Sequence, residues 1–112
     1  MALERVHFTF TLETLTDMTD KQYTAVKVSD SFKCDTASTE DGDILGIVIN
    51  NPREGLAATI ARDGITKIKV ADGATITAGK GVAITNGEAS GEGTFGVALE
   101  TITGPALGTL LL

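Results

Sequence analysis

Few residues in this chain could do chemistry. His7 is the only histidine and Cys34 the only cysteine. A Ser-His-Asp arrangement needs an imidazole within reach of a hydroxyl and an acid, and nothing in the sequence brings those partners to His7. One histidine and one cysteine are also too few for a zinc centre. Cys34 lies in an apolar strand pattern and reads as a small core residue. Glu40-Asp41-Gly42-Asp43 suggests a calcium loop, but the alternate oxygen ligands and the distant bidentate carboxylate are missing. A solvated, self-repelling loop accounts for it. Gly79-Lys80-Gly81, with Gly73 before it, lacks the Walker spacing and the following Ser or Thr of a phosphate cradle. Lys80 also lacks the neighbours that mark a lipoyl- or biotinyl-carrying lysine at a hairpin tip. No enzyme activity, metal or cofactor is therefore expected.

The elements that would position such groups are strands. The 112 residues fit one domain, able to bury roughly two thirds of its unfolded surface. Composition is 42% hydrophobic and 21% charged with only 4% aromatics, so the core must be aliphatic. The mean hydropathy of +0.16 is high for a small soluble domain, which suggests apolar surface buried against partner chains. A net charge of −6 argues against a nucleic-acid backbone and against an acidic membrane surface. The start lacks a signal-peptide layout and no run is long enough for a transmembrane helix. The expectation is synthesis in a cytoplasm.

Residues 5–13 alternate: Val6, Phe8, Phe10 and Leu12 share one face, and His7, Thr9 and Thr11 the other, as in a half-buried strand. Residues 14–22 read as a polar loop. Further strands are predicted at 23–28, 32–34, 44–49, 56–62, 65–70, 74–77, 82–85, 94–100 and 106–112. Asp63-Gly64 and Asn86-Gly87 supply two-residue hairpin signals. No stretch holds a helical period. Many short strands between glycine-rich turns predict an all-β fold, a small β-barrel or barrel-like sandwich.

Ile44-Leu45-Gly46-Ile47-Val48-Ile49 recurs as Thr94-Phe95-Gly96-Val97-Ala98-Leu99, fifty residues later. The same gap-free offset pairs Val26 with Ile76, Phe32 with Val82, Cys34 with Ile84 and Ile60 with Leu110. Two pseudo-repeated halves follow, at about 24–62 and 74–112, inside one domain of residues 23–112. Residues 1–22 form an N-terminal strand or arm with its linker. The offset also sets Thr9 on Thr59 and Phe10 on Ile60, which would make the first strand an equivalent of 56–62 and 106–112. Within the repeat, Leu45, Ile47 and Ile49 match Phe95, Val97 and Leu99 as a core face. Gly46 and Gly96 lie on a small face that lets another backbone come close.

The run 76–87 (ITAGKGVAITNG) with 94–100 (TFGVALE) resembles the small decoration, or cement, proteins of tailed-bacteriophage heads. Leu45-Gly46-Ile47-Val48-Ile49 and Asp63-Gly64 resemble them more loosely, and the likeness covers roughly 26–112. The polar 35–43 loop and the long N-terminal segment depart from the pattern. The resemblance implies a non-enzymatic, all-β virion subunit, usually trimeric, that sits on the capsid exterior and reinforces the lattice. Its partners would be the major capsid protein and its own copies.

Arg5, Val6, His7, Phe8, Thr9, Phe10 and Leu12 are the candidate capsid or neighbour contact, since a terminal strand can add to another sheet. The alternative is that this strand completes the chain's own core. Leu107 and Leu111 are the candidate oligomer interface. Gly46 and Gly96 are structural glycines. A different reading of the whole chain is a small ligand- or peptide-binding domain of a cellular protein, which would need a pocket with convergent polar groups.

Overall fold

The computed structural model describes residues 4–38 and 44–112. The calcium reading of Glu40–Asp43 falls outside them. The described residues hold strands and turns only, as the sequence predicts: β1 (Arg5–Thr14), β2 (Thr24–Asp30), β3 (Lys33–Thr36), β4 (Ile44–Val48), β5 (Ala57–Val70), β6 (Thr75–Ile76), β7 (Gly81–Thr85), β8 (Glu88–Gly93), β9 (Val97–Ala98), β10 (Ile102–Thr103) and β11 (Ala106–Leu111).

The pairings close two small rings that share β5. The first runs β1-β3-β2-β4-β5 and back to β1. The second runs β5-β11-β9-β7-β8 and back to β5. In it, β9 meets the start of β7 through hydrogen bonds from Ala98 N to Lys80 O and from Gly79 N to Ala98 O, both 2.8 Å. The short joints make this a barrel-like sandwich rather than one regular barrel. Met18, Val26, Cys34, Val48, Ala58 and Ile60 fill the first ring. A larger cluster fills the second, including Ile68, Val82, Ile84, Ala89, Ala98 and Leu110.

Asp63-Gly64 is not a hairpin. β5 runs through it as a single strand of 14 residues. Gly64 has φ 101°, and the β1–β5 register shifts between Val6 and Phe8, and again between Phe8 and Thr9. The dipeptide is the corner at which β5 passes from one ring into the other. Asn86-Gly87 does turn a hairpin, with φ 51° and 79°, between β7 and β8.

The two halves repeat each other's pairings with two offsets. Ile47 opposite Ala61 and Val48 opposite Ile60 recur fifty residues on as Val97 opposite Leu111 and Ala98 opposite Leu110. Upstream of Ala37 the offset is fifty-six. Val26 opposite Thr36 becomes Val82 opposite Glu92, and the left-handed Tyr23 (φ 65°) becomes Gly79 (φ 84°). Glu13 opposite Ala57 becomes Lys69 opposite Leu107. Val26 therefore corresponds to Val82, not Ile76, and β1 corresponds to the second half of β5, not to 56–62 or 106–112. The six extra residues fall between Ala37 and Ile44.

β1 is docked along β5 over a ladder from Arg5–Ile65 to Glu13–Ala57, so it is a strand of the chain's own sheet and not a free arm. The loop after it carries a core residue. Met18 is fully buried and its N–H donates to Pro52 O at 2.9 Å. Met18→Ala should cost about 3 kcal/mol, the usual loss when a large side chain leaves a closed core. Urea unfolding measures it, and a loss below about 1 kcal/mol would show that the ring can collapse around the gap.

Candidate functional site

Gly46 and Gly96 do the same job in the two halves. A Cβ on Gly46 would run into the Ala61 carbonyl oxygen, and one on Gly96 would lie 2.8 Å from the Leu111 carbonyl oxygen. Ala61 and Leu111 are themselves equivalents, so each glycine lets β4 or β9 approach the strand beside it. Gly96 also has φ 58°, where a side chain is disfavoured. A cavity of about 190 Å³ lies where the halves meet, with Leu45, Gly46 and Arg62 from one half and Phe95, Gly96 and Leu112 from the other. The Arg62 guanidinium lines it, donating from Nη1 to Leu45 O at 2.7 Å.

The faces beside these glycines differ from the sequence expectation. In β4 both Ile47 and Val48 are fully buried, one in each core cluster. The β2–β4 register shift at Leu45 breaks the alternation. In the second half Ala98 is buried, while Val97 and Leu99, expected in the core, are exposed.

Val97 and Leu99 join Leu107 and Leu111 on an apolar outer face. Leu111 is 41% exposed and Leu107 38%. Leu111 pairs with Val97 on one side and with half-buried Ile65 on the other. Thr109, between the two leucines, is buried and its hydroxyl donates to Glu100 Oε2 at 2.6 Å. That bond holds the Glu100 carboxyl below its ordinary pKa. Lys69 lies opposite Leu107, and its Nζ donates to Asp20 O at 2.6 Å. Lys69 and Leu107 also line a shallow cavity of about 320 Å³ with Val70, Glu88, Pro105 and Ala106.

The duplication gives this face its meaning. Its first-half equivalents at positions 97 and 111 are Ile47 and Ala61, both fully buried. There the face is covered by the second half of the chain, since Ile47 belongs to the larger cluster. In the second half Val97 and Leu111 are instead left 38% and 41% exposed.

Two further apolar side chains are exposed on β1 and on the turn before β3, its neighbour at Glu13. Phe8 and Phe32 are exposed, Phe32 at 85% on the β2–β3 turn and with φ 58°. Arg5, His7 and Thr9 are exposed, while Val6, Phe10 and Leu12 are half-buried. The Phe8 and Phe10 rings are 6.0 Å apart and tilted by 37°, so exposed Phe8 leans against half-buried Phe10. Periodicity gave no warning for Phe32, whose strand starts one residue later than expected.

His7 is exposed on β1, whereas the Cys34 thiol is buried in the first ring. Burial pushes the thiol pKa up, and the Asp35 charge adds to that. Among the described residues no three His, Cys, Asp or Glu side chains are grouped to hold a metal.

No protein-family model matches the chain. No curated protein matches it in sequence. The fold is similar to the crystal structure of the head fibre gp8.5 N base of bacteriophage phi29, with a TM-score of 0.63 and 15% identity over 94% of this chain and 92% of that one.

Proposed function

We propose that the chain is a non-enzymatic virion protein. It binds the outer surface of a phage capsid as a homotrimer and stabilises the lattice, with the major capsid protein as its partner. The observation that carries this reading is a fold shared over nearly the full length of both chains with a phage head-fibre base. The exposed side chains of Val97, Leu99, Leu107 and Leu111 support it, because an apolar surface whose equivalents at 97 and 111 are buried in the other half is suited to another copy. We assign that face to the trimer, and the exposed part of β1 to the capsid or to a neighbouring copy. Each contact can be weak, since many copies on a repeating surface add their stabilisation.

Co-sedimentation with heads of the phage that encodes the chain tests this directly. The purified chain should pellet with heads, saturate at a fixed copy number, and raise the temperature at which the heads disrupt. A chain that stays in the supernatant with heads bare of exterior proteins would refute the assignment.

A further inference from the structure

One edge of β1 is bonded along β5. On its other edge β3 reaches only Glu13 and Thr14. From Arg5 to Leu12 that second edge has no backbone partner among the described residues. An open edge presents a row of unpaired N–H and C=O groups, which proteins usually protect with lysine, proline or a bulge. Val6 to Leu12 holds neither lysine nor proline. The register shifts around Phe8 are its one protection.

The duplication shows what such an edge accepts. β1 corresponds to the second half of β5, and β3 sits on β1 as β8 sits on β5. Val70 pairs with both β11 and β8, and Ile65 with both β11 and β1. β8 and β1 therefore occupy the same edge of β5. On β5, the stretch before β8 is taken by an antiparallel strand, and that strand is β1. On β1 the same stretch is empty.

We infer that the open edge of β1 pairs antiparallel with β1 of a second copy. The register follows from the pairing already present. Arg5 faces Ile65 and Val6 faces Gly64, and the equivalents of Ile65 and Gly64 are Thr9 and Phe8. Arg5 of one copy then meets Thr9 of the other, Val6 meets Phe8, and the two His7 residues face each other at the twofold axis. This isologous contact closes on itself and leaves the β3 joint at Glu13 undisturbed. The exposed Phe8 side chains are flanked by Val6 of the other copy, a favourable cross-strand pair. A pair of this length is below the size of a stable interface. It is weak between free chains, where high concentration populates it, and gains where copies are held side by side, so it deepens the neighbour contact proposed above and rests on that reading for its setting.

His7→Cys tests the register on the purified chain without capsids. Opposed residues of an antiparallel pair lie about 5 Å apart between Cα atoms, within the span of a disulfide. Thr11→Cys is the control: in this register the two copies of residue 11 are about 26 Å apart. Both positions are exposed strand residues, and the native thiol, Cys34, is buried. Under mild oxidation at high protein concentration His7→Cys should form covalent dimer at least ten times faster than Thr11→Cys. Equal rates would overturn the inference. So would His7→Cys on heads giving a cross-link to the capsid chain and none to itself. Co-sedimentation of the unmodified chain separates the two ideas: if heads bind it while His7→Cys fails to dimerise, only the strand pairing falls. Dimerisation without head binding would retire the capsid role instead.

Discussion

Gly64→Ala should lower the unfolding free energy by about 3 kcal/mol or more, while Gly73→Ala should cost about 1 kcal/mol. Both glycines have positive φ, 101° and 78°, so both substitutions carry a conformational penalty. They differ in surroundings. A Cβ on Gly73 would meet nothing within 4 Å, whereas one on Gly64 would run into the Arg5 carbonyl oxygen and lie 2.9 Å from the His7 nitrogen. Those are backbone atoms of β1 and cannot swing aside. The added methyl must push β1 off β5 at the corner where the rings join. Urea midpoints at constant slope report the two losses. Equal losses at both glycines would mean that the corner needs only the backbone angle and not the closeness of the strands.

The second large effect concerns one substitution at two equivalent places. Leu111→Asp should leave the fold intact and weaken self-association on the order of 100-fold, since a charge in an apolar contact loses roughly 3 kcal/mol of binding. Ala61→Asp, at the equivalent position in the first half, should instead destabilise the fold by several kcal/mol, because a carboxylate there enters the core without a partner. The contrast follows from exposure: Leu111 is 41% exposed and Ala61 fully buried. Light scattering gives the mass and urea unfolding the stability. An unchanged mass for Leu111→Asp would remove this face from the oligomer, and a wild-type chain that stays monomeric would remove the trimer itself.

The strands and most turns were legible in the sequence because alternation and glycine placement are local signals. The repeat was legible as a pattern but not in its register. Side chains on a strand alternate with period two, and the insertion between Ala37 and Ile44 is six residues long, an even number. Sliding one half by six keeps every apolar position on the same side, so Val26 matches Ile76 as well as it matches Val82, and all three are fully buried. Only the ladders separate the two choices. Asp63-Gly64 misled for a related reason. The dipeptide reports a backbone bend, and a bend serves a bulged corner as readily as a hairpin. Met18 was hidden because a single apolar residue among Asp17, Thr19 and Asp20 has no period to betray it. The outer face was half legible. Leu107 and Leu111 stand out in a terminal strand that is apolar on both sides, but Val97 and Leu99 look like core until their uncovered side is seen. That the first strand could add to another sheet was legible from its place in the chain, but not that one of its edges is bonded to β5 and the other left open from Arg5 to Leu12.

The sharing of β5 bears on how the subunit comes into being. β1 finds its neighbour only once residues 57–65 have been made, and those residues continue directly into the strand that the second ring is built on. Each ring uses its own stretch of β5, but Ala25, Ala37 and Ile47 of the first half are buried in the cluster that fills the second ring, so the halves are packed as one folding unit. Long loops must be closed before either ring gains its contacts, which makes the search slow but the result all-or-none. Under the proposed role, the lattice is then supplied only with finished subunits. A half-folded chain would leave Ala25, Ala37 and Ile47 without the cluster that buries them.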